Sequence, residues 1–264
     1  MAQLQQSILR NRLLASLSPD DFVLVQPHLE AVSFGLREHL FRADQRITHV
    51  TFPEYGVASI VADTGEGRFE VGMVGSEGLV GAPIVLGVDR SPHTCLVQVA
   101  GEAFRIGAGE LQAAMDHSPA LRALLLRFVH TFIVQVSQTA YANAGYSVEE
   151  RLARWLLMTH DRLEQDDMPI THEFMSIMLG ARRPGVTLAV QMLEGAGAIR
   201  ATRGRVRMRD RAKLEQIAGQ SYGSPRGNTP TYSSSRSSER EMSGGLALLH
   251  EHSLPRSADT RSRR

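Results

Sequence analysis

Residues 170–199 read ITHEFMSIMLGARRPGVTLAVQMLEGAGAI and are the most informative segment of the chain. Thr171 is suited to cap a helix, because its hydroxyl can accept a hydrogen bond from a backbone N–H of the first turn. Gly180 permits a tight turn between two helices. A helix, a glycine-containing turn and a second helix are the signature of a helix-turn-helix. The second helix then buries its apolar side through Val186, Ala189, Val190 and Leu193.

The second helix of such a pair places its N-terminal residues against base edges in the DNA major groove. Arg183 is the first candidate for reading a base, because one guanidinium can bond O6 and N7 of a guanine together, which is worth ~1–3 kcal/mol against a wrong base. The candidate DNA-binding residues of the helix pair are Thr171, Arg182, Arg183, Pro184, Gly185, Thr187 and Leu188.

A basic hairpin is predicted directly after the helix pair, as two short strands around Arg203-Gly204. A β-hairpin in this place is a wing. Its arginines are expected to contact mostly phosphates and to give affinity with a steep salt dependence. They are Arg200, Arg203, Arg205, Arg207 and Arg209. The alternative is a solvated run of charges on a helical hairpin that serves packing alone.

Charge is unevenly distributed along the 264 residues. Residues 1–181 carry 13 arginines against 21 acidic residues, whereas residues 182–213 carry nine basic against two acidic residues, although the whole chain has a formal net charge of +1. An acidic body joined to a basic segment is typical of nucleic-acid binders. High genomic GC content would explain why arginine outnumbers the single lysine, but it does not explain the clustering.

Composition excludes several kinds of site. Cys95 is the single cysteine, which rules out a disulfide framework, a cysteine zinc site and an iron–sulfur cluster within one chain. The longest apolar run, 121–136, is interrupted by Arg122, Arg127 and His130 and falls short of the ~20 apolar residues of a membrane span. The N-terminus lacks the apolar core of a signal peptide. We therefore expect a cytoplasmic protein without a metal, a cofactor or a membrane partner.

Residues 30–107 have the pattern of a β domain. Short runs rich in Val, Ile, Phe and Thr recur between glycine-containing turns such as 64–67, which favours an antiparallel roll. Before them, the apolar spacing predicts one helix over Ser7–Leu17 and another from Ser18-Pro19. The predicted strands are AVSF (31–34), ITHVTF (47–52), VASIVAD (57–63), RFEVGMV (68–74), CLVQV (95–99) and EAFRI (102–106).

A long helix is predicted from Ser118-Pro119 to about Asn143, with a hinge near Gly145. It carries two adjoining apolar strips, so that one side could pack on the roll and the other on a second copy of the chain, as in a two-stranded coiled coil. The alternative is a helix buried within its own monomer. The residues predicted to form the dimer contact are Leu121, Leu125, Phe128, Phe132 and Val136.

The chain therefore divides into four predicted segments with an α+β fold. An N-terminal antiparallel β-roll of the double-stranded jelly-roll type occupies 1–117, the dimerisation helix 118–145, and a winged helix-turn-helix 146–219. Residues 220–264, rich in Ser, Arg, Gly and Pro, cannot bury enough apolar surface to fold and are predicted to be a disordered tail.

This order of elements resembles the Crp/Fnr family of bacterial transcription regulators over about residues 7–218. The resemblance is carried by HVTFPEYGVASIVAD (49–63), by GAPIVLGVDRSPHTCLVQV (81–99) and, most specifically, by residues 170–199. It implies a homodimer joined along the long helices, on a palindromic double-stranded DNA site whose half-sites lie ~34–36 Å apart. RNA polymerase and a small-molecule effector are implied as further partners.

The resemblance also supplies a candidate effector site. Members that bind cyclic AMP hold it in the roll with a Phe-Gly-Glu-Leu-like segment and an Arg-Ser pair. Here Gly81 and Ala82 stand at the first element, with alanine in place of the carboxylate that bonds the ribose, and Arg90 and Ser91 match the second. A guanidinium there could hold an anion, and an arginine with little function at the rim of a turn is an equal alternative.

Other branches of the family fit less well. The N-terminal cysteine cluster of the oxygen-sensing branch is missing, and the scattered histidines do not single out a pair of haem ligands. Pro184 and Leu188 stand where the cyclic-AMP branch has a glutamate and an arginine, so the DNA site should differ from that of this branch.

The sequence thus predicts a DNA-binding transcription regulator with an unidentified effector. The alternative is a cyclic-nucleotide-responsive binding module, in which the roll holds cyclic AMP or another small anion. No nucleophile–base pair, GxGxxG after a strand, P-loop or HExxH motif is present, so we predict no catalytic residue and no enzyme activity.

Overall fold

The computed structural model describes residues 4–64 and 67–222. The N-terminal β domain, called the roll below, is built from two antiparallel sheets with the strand orders β1-β7-β3 and β2-β6-β4-β5. Side chains from both sheets meet in one apolar core, which includes Phe52, Ile60 and Ile106. The strands are β1 Glu30–Phe34, β2 His39–Phe41, β3 His49–Pro53, β4 Val57–Thr64, β5 Gly67–Val74, β6 Thr94–Val99 and β7 Gly101–Gly107.

The six predicted strands of the roll are confirmed, and β2 has no counterpart among them. β2 has three residues and a register shift against β6 between His39 and Phe41. A strand this short and irregular leaves too little alternation to be recognised from the sequence. Two residues of the predicted turn 64–67, at 65 and 66, lie outside the described residues.

The predicted helix over Ser7–Leu17 is wrong in its extent. A 3-10 turn at Gln6–Ile8 and a short helix α1 at Arg12–Ala15 are separated by Leu9 and extended backbone. The break has a physical cause, because the Glu54 carboxylate accepts the backbone N–H groups of Arg10 (2.7 Å) and Asn11 (3.0 Å). Those two N–H groups are thereby tied to the roll instead of to a helix. The next helix, α2 at Pro19–Val25, begins at the predicted serine cap.

Two helices and one short helix complete the N-terminal half. α3 spans Ala82–Val85, α4 spans Ala108–His117 and α5 spans Pro119–Gly145. Ser118 begins α5 as predicted: its hydroxyl oxygen accepts the Leu121 N–H at 3.1 Å and donates to the Asp21 carboxylate at 2.5 Å. Because Asp21 belongs to α2, this cap also ties α5 to the N-terminal helices.

The long helix α5 buries in the chain's own roll most of the face that was predicted to join two chains. Leu121, Leu125 and Phe128 are 1–3% exposed, and they belong to the core of the chain's own roll. They are therefore not available to a second copy, whereas Phe132 and Val136 are half-buried. By length and composition α5 is also apolar enough to cross a membrane, and 28% of its most apolar window is buried inside the protein.

The C-terminal part, called the reader below, is a winged helix-turn-helix, and the predicted helix pair and wing are confirmed. Its first helix α6 begins at a complete Ser147/Glu150 capping box. Strands β8, β10 and β9 form an antiparallel sheet in that order. The elements are α6 Val148–Leu163, β8 Asp167–Met168, α7 His172–Leu179, α8 Arg183–Gly195, β9 Ile199–Thr202, β10 Arg205–Met208 and α9 Arg211–Ala218.

The folded part continues slightly beyond the predicted start of the tail at Gln220. Ser221 and Tyr222 are buried, at 1% and 4% exposure. The Ser221 carbonyl oxygen accepts a hydrogen bond from Nε of the buried Arg154, at 2.8 Å. The Tyr222 hydroxyl donates one to the Asp161 carboxylate, at 2.5 Å. The remainder of the predicted tail, 223–264, lies outside the described residues.

Five polar side chains form a closed hydrogen-bonded ring between the roll and α6, called the polar ring below. Ser59 (β4), Glu70 (β5) and Gln98 (β6) lie on the four-stranded sheet, and Trp155 and Thr159 face them from α6. All five are at most 4% exposed. Ser59 Oγ lies 2.5 Å from Glu70 Oε2 and 2.8 Å from Gln98 Oε1. Gln98 Nε2 donates to Thr159 Oγ1 (3.2 Å), Thr159 Oγ1 to the Trp155 carbonyl (2.9 Å), and Trp155 Nε1 to Glu70 Oε1 (3.1 Å).

The polar ring favours a protonated Glu70. The Ser59 hydroxyl has one hydrogen but lies between two acceptor oxygens, so a carboxylate at Glu70 leaves one of them without a donor. A protonated Glu70 donates to Ser59, which then donates to Gln98 in the orientation its amide has in the structure. In agreement, burial raises the pKa of Glu70 to about 7, against the lowering effects of the Ser59 hydrogen bond and of the Arg162 charge.

We expect the stability of the protein to fall between pH 4.5 and about 7 because of Glu70. The folded state keeps this proton up to about pH 7, whereas the unfolded chain releases it near its ordinary pKa of 4.5. The folded state therefore binds more protons in that window, and stability decreases by up to ~3 kcal/mol as the pH rises. Glu70→Gln should flatten the decrease and make the protein more stable than wild type at pH 8. Urea denaturation across this pH range measures it.

The control is Glu30→Gln, which removes a carboxylate whose side chain is 63% exposed and should leave the pH dependence of wild type unchanged. If stability falls with pH equally in wild type and in Glu70→Gln, the proton on Glu70 is not the cause of the decrease.

Candidate nucleic-acid interface and roll cavity

Helix α8 presents a continuous face to solvent. Its buried side, Val186, Ala189, Val190 and Leu193, packs into the core of the reader at 0–3% exposure. The opposite side is exposed and begins at Arg182, the residue that precedes the helix. The exposed residues of this face are Arg182, Arg183, Pro184, Thr187, Leu188, Gln191 and Met192.

Arg183 is held by an acidic neighbour. Its Nη2 lies 3.0 Å from Oε1 of Glu173 on α7, while the other carboxylate oxygen of Glu173 lies 3.8 Å from Nη2 of Arg37 in the roll. All three side chains are more than half exposed, so each ion pair adds little stability in water. A stronger anion can therefore compete for Arg183 at small cost.

The wing adds a basic edge next to α8. β9 and β10 pair in register, with Arg207 opposite Arg200 and Arg205 opposite Thr202. Because strand residues alternate in direction, Val206 and Met208 point into the core, and the arginines are exposed. Arg205 is paired with Asp167 of β8 at 2.8 Å.

Most of the predicted DNA-binding residues of α8 and of the wing are exposed to solvent. Thr171 is exposed, and its hydroxyl oxygen caps α7 by accepting the Phe174 N–H at 3.1 Å. A Cβ on Gly185 would meet nothing within 4 Å, so this position is open on its outward side. The residues missed by sequence reasoning are Gln191, Met192 and Asp167. Helical spacing from Leu188 would have identified the first two, whereas the Arg205–Asp167 pair depends on the pairing of β8 with the wing.

A cavity of about 210 Å³, called the roll cavity below, lies between the roll and α5. Strand residues Phe41, Ile60 and Val74 line one part of it. The segment around α3 contributes a second part, and α5 contributes Val129, Phe132 and Ile133. Three of the four candidate effector residues, Gly81, Ala82 and Ser91, are also among its lining residues.

Arg90 is not among the lining residues. Its guanidinium donates to the Asp44 carbonyl at 2.6 Å, lies 3.9 Å from the Asp89 carboxylate and is 61% exposed. Ser91 is turned inward instead, at 7% exposure. No group of three His, Cys, Asp or Glu within 4–64 and 67–222 is placed to hold a metal ion.

The C-terminal part of the chain is similar in sequence to one known domain family. Residues 150–217 match the family model of the Crp-like helix-turn-helix domain. None of the curated proteins compared with the chain matches it.

Solved structures match over most of the chain. FixK2 from Bradyrhizobium japonicum is 14% identical with a TM-score of 0.64, over 72% of this chain and 98% of that one. The c-di-GMP responsive global regulator CLP of Xanthomonas campestris is 16% identical with a TM-score of 0.60, over 72% and 99%. TTHA1359, a CRP/FNR family transcriptional regulator from Thermus thermophilus, is 17% identical with a TM-score of 0.59, over 72% and 98%. Identities this low establish the fold and carry no residue roles.

We expect Arg203→Ala to weaken binding to duplex DNA about equally for all sequences. Arg203 is exposed at the turn of the wing, where a lost phosphate contact should lower the slope of log K against log salt by about 1. Fluorescence anisotropy with two unrelated duplexes at several salt concentrations measures it. Arg46→Ala, which removes an arginine with a 74% exposed side chain from the roll, is the matched control and should keep the wild-type slope. An unchanged slope for Arg203→Ala would remove the wing from the interface.

Proposed function

We propose that this chain, which has the fold of the Crp/Fnr transcription regulators and carries their Crp-like helix-turn-helix domain, works as a homodimer on a palindromic DNA site. In this proposal residues 1–117 form the sensor, 118–145 the dimerisation helix and 146–219 the DNA-binding domain. The function is binding alone, and no catalytic residue is assigned.

The observation that carries the proposal is the continuous exposed surface of α8 and the wing. Residues 182–213 concentrate nine basic and two acidic residues. The arginines of α8 and of the wing are exposed, whereas Arg211 is half-buried in ion pairs with Asp161 and Glu215. A basic surface next to a helix with an open N-terminal half is suited to a duplex, because the helix can enter the major groove while the arginines contact phosphates.

Base reading is proposed for two kinds of residue on α8. Arg183 can bond a guanine with two hydrogen bonds after it exchanges Glu173 for the base. Leu188 and Met192, at 58% and 47% exposure, are large apolar side chains on an otherwise polar face. Apolar side chains recognise the methyl group of thymine. We therefore propose a half-site with a guanine at Arg183 and thymine further along the helix.

The dimer contact is proposed on the exposed face of α5. Residues there follow each other at steps of three and four, which is the spacing of a coiled-coil seam. Leu126, at 39% exposure, and Ile133, at 53%, supply its largest apolar side chains. Four of the six seam residues are apolar, and exposed apolar residues that lie together are typical of an interaction surface. The proposed seam consists of Ala123, Leu126, His130, Ile133, Ser137 and Ala140.

The remaining partners follow from the same proposal. A protein that acts on chromosomal DNA in a bacterium works in the cytoplasm, and a regulator bound at a promoter acts on RNA polymerase. We propose the cytoplasmic location and the contact with RNA polymerase on the basis of the family likeness. A small-molecule effector is taken up in the next subsection.

Selection of random duplex DNA by the purified protein, with and without cyclic AMP, tests the function. We expect a palindrome enriched equally in both arms. Arg183→Ala should lose preference at one position of each half-site by a factor of about ten or more. Enrichment that depends on cyclic AMP would favour the cyclic-nucleotide-responsive alternative, and absence of any enriched sequence would count against a sequence-specific regulator.

We expect Leu126→Glu to convert the dimer to a monomer, because a carboxylate would face its copy across the seam. The matched control is Gln138→Glu, which puts the same carboxylate on an exposed position of α5 outside the seam. Sedimentation or light scattering at several concentrations distinguishes the two species. A dimeric Leu126→Glu protein would place the contact elsewhere.

A further inference from the structure

We propose that the roll cavity binds a neutral, largely apolar small molecule with one hydrogen-bonding group, and that this molecule regulates DNA binding. An effector site in the roll and its effect on DNA binding rest on the proposed function; the new inference is the class of ligand, which follows from the lining of the cavity. The ligand class differs from the cyclic nucleotide or other anion that the sequence resemblance implies.

The chemistry of the lining sets the ligand class. Ten of the thirteen lining residues are large or small apolar side chains, and Gly81 contributes backbone. Ser91 and His93 are the two lining residues with polar side chains. Ser91 Oγ accepts a hydrogen bond from the backbone N–H of His93 at 3.1 Å. The hydroxyl hydrogen of Ser91 can still be donated to a ligand. A ligand with a single acceptor can therefore be oriented toward Ser91 while its apolar part fills the rest of the cavity.

An anion is poorly accommodated in the same place. No arginine, lysine or carboxylate is among the lining residues. Arg90, the cation that the resemblance assigns to a phosphate, is tied to the Asp44 carbonyl and is exposed. A charge moved from water into an apolar cavity without a partner is strongly disfavoured.

The size of the cavity limits the ligand further. An apolar cavity of roughly 150 Å³ takes up benzene, so about 210 Å³ admits a substituted benzene or a fused two-ring compound. The small side chain of Ala82 keeps this volume open. It is the smallest side chain of α3 and stands at the first position of that helix.

The cavity is placed to act on α5. Phe132 and Ile133 line it, and Ile133 is also part of the proposed seam. Immediately beyond them, the Gln135 side chain bonds the backbone of Met73 in β5 twice, at 2.7 Å to the N–H and 3.1 Å to the carbonyl. A ligand that moves Phe132 or Ile133 therefore acts on the dimer contact, and it shifts DNA binding only as far as it binds the two states with different affinity.

The test uses the full chain and two probes that share one ring system, the neutral 2-naphthol and the anionic naphthalene-2-sulfonate, with cyclic AMP as a third. Titration calorimetry should give saturable binding of one 2-naphthol per chain with a negative heat-capacity change. The sulfonate and cyclic AMP should bind at least about tenfold more weakly. Absence of saturable 2-naphthol binding, or equal binding of the sulfonate, would overturn the proposal.

Two variants locate the binding. Ala82→Phe fills the cavity and should weaken 2-naphthol binding about tenfold or more, whereas Val88→Phe adds the same ring at a 52% exposed position outside the lining and should not. Leu86→Gln is the second variant, because Leu86 lines the mouth at 56% exposure and its replacement does not disturb the core. Its 2-naphthol affinity should fall about threefold. Wild-type affinity in both lining variants would overturn the assignment to this cavity.

The regulatory part is measured separately on the selected duplex. Saturating 2-naphthol should change DNA affinity in wild type and not in Ala82→Phe. Unchanged DNA affinity in the presence of bound 2-naphthol would overturn the regulatory part. Binding of 2-naphthol by a protein that selects no DNA sequence would instead contradict the proposed function and leave the cavity as a ligand site.

Discussion

The position of the reader depends on how α6 packs on the four-stranded sheet of the roll. Apolar side chains of both, including Val57, Met73 and Trp155, form one core, and the polar ring lies within it. Arg162 adds a buried ion pair to Glu77 at 2.8 Å. The backbone approaches closely here, since a Cβ on Gly75 would lie 2.9 Å from the Cβ of Arg162. Buried polar groups stabilise an interface when they are paired, so a shift of α6 on the sheet would break hydrogen bonds of the polar ring.

Helix α5 connects the other functional regions because each of its sides has a different neighbour. One side lies in the roll core, so closely that a Cβ on Gly78 would lie 2.2 Å from the Phe128 ring. A second side lines the roll cavity through Phe132, and Ile133 lies between this side and the seam. The third is the exposed seam. A helix shared in this way cannot shift on one side without a change on the others, because packed side chains have few alternative arrangements.

The sequence predicts where helices and strands lie better than it predicts which face of a helix is buried. Helix caps, glycine turns and alternation depend on neighbouring residues, and these located the strands of the roll, the capping box at Ser147 and the helix pair. On α5 two adjoining apolar strips are visible in the sequence, but tertiary packing buries the N-terminal part of both. Leu125 of one strip and Leu124 of the other are in the core, whereas Ile133 is exposed. The same limit applies to Glu70, which is one carboxylate among many in the sequence and becomes distinctive only when β4, β6 and α6 surround it.

Glu173 would connect the proposed DNA-binding surface to the roll through its two ion pairs. Its carboxylate contacts Arg183 on the recognition surface and Arg37 on the roll at the same time. In the proposed complex, a guanine that takes Arg183 would leave Glu173 with Arg37 as its cation. The pairs are exposed and weak, so the exchange would cost little. Since coupling between two sites is reciprocal, whatever alters the Arg37 contact from the roll side also alters how readily Arg183 is released to DNA.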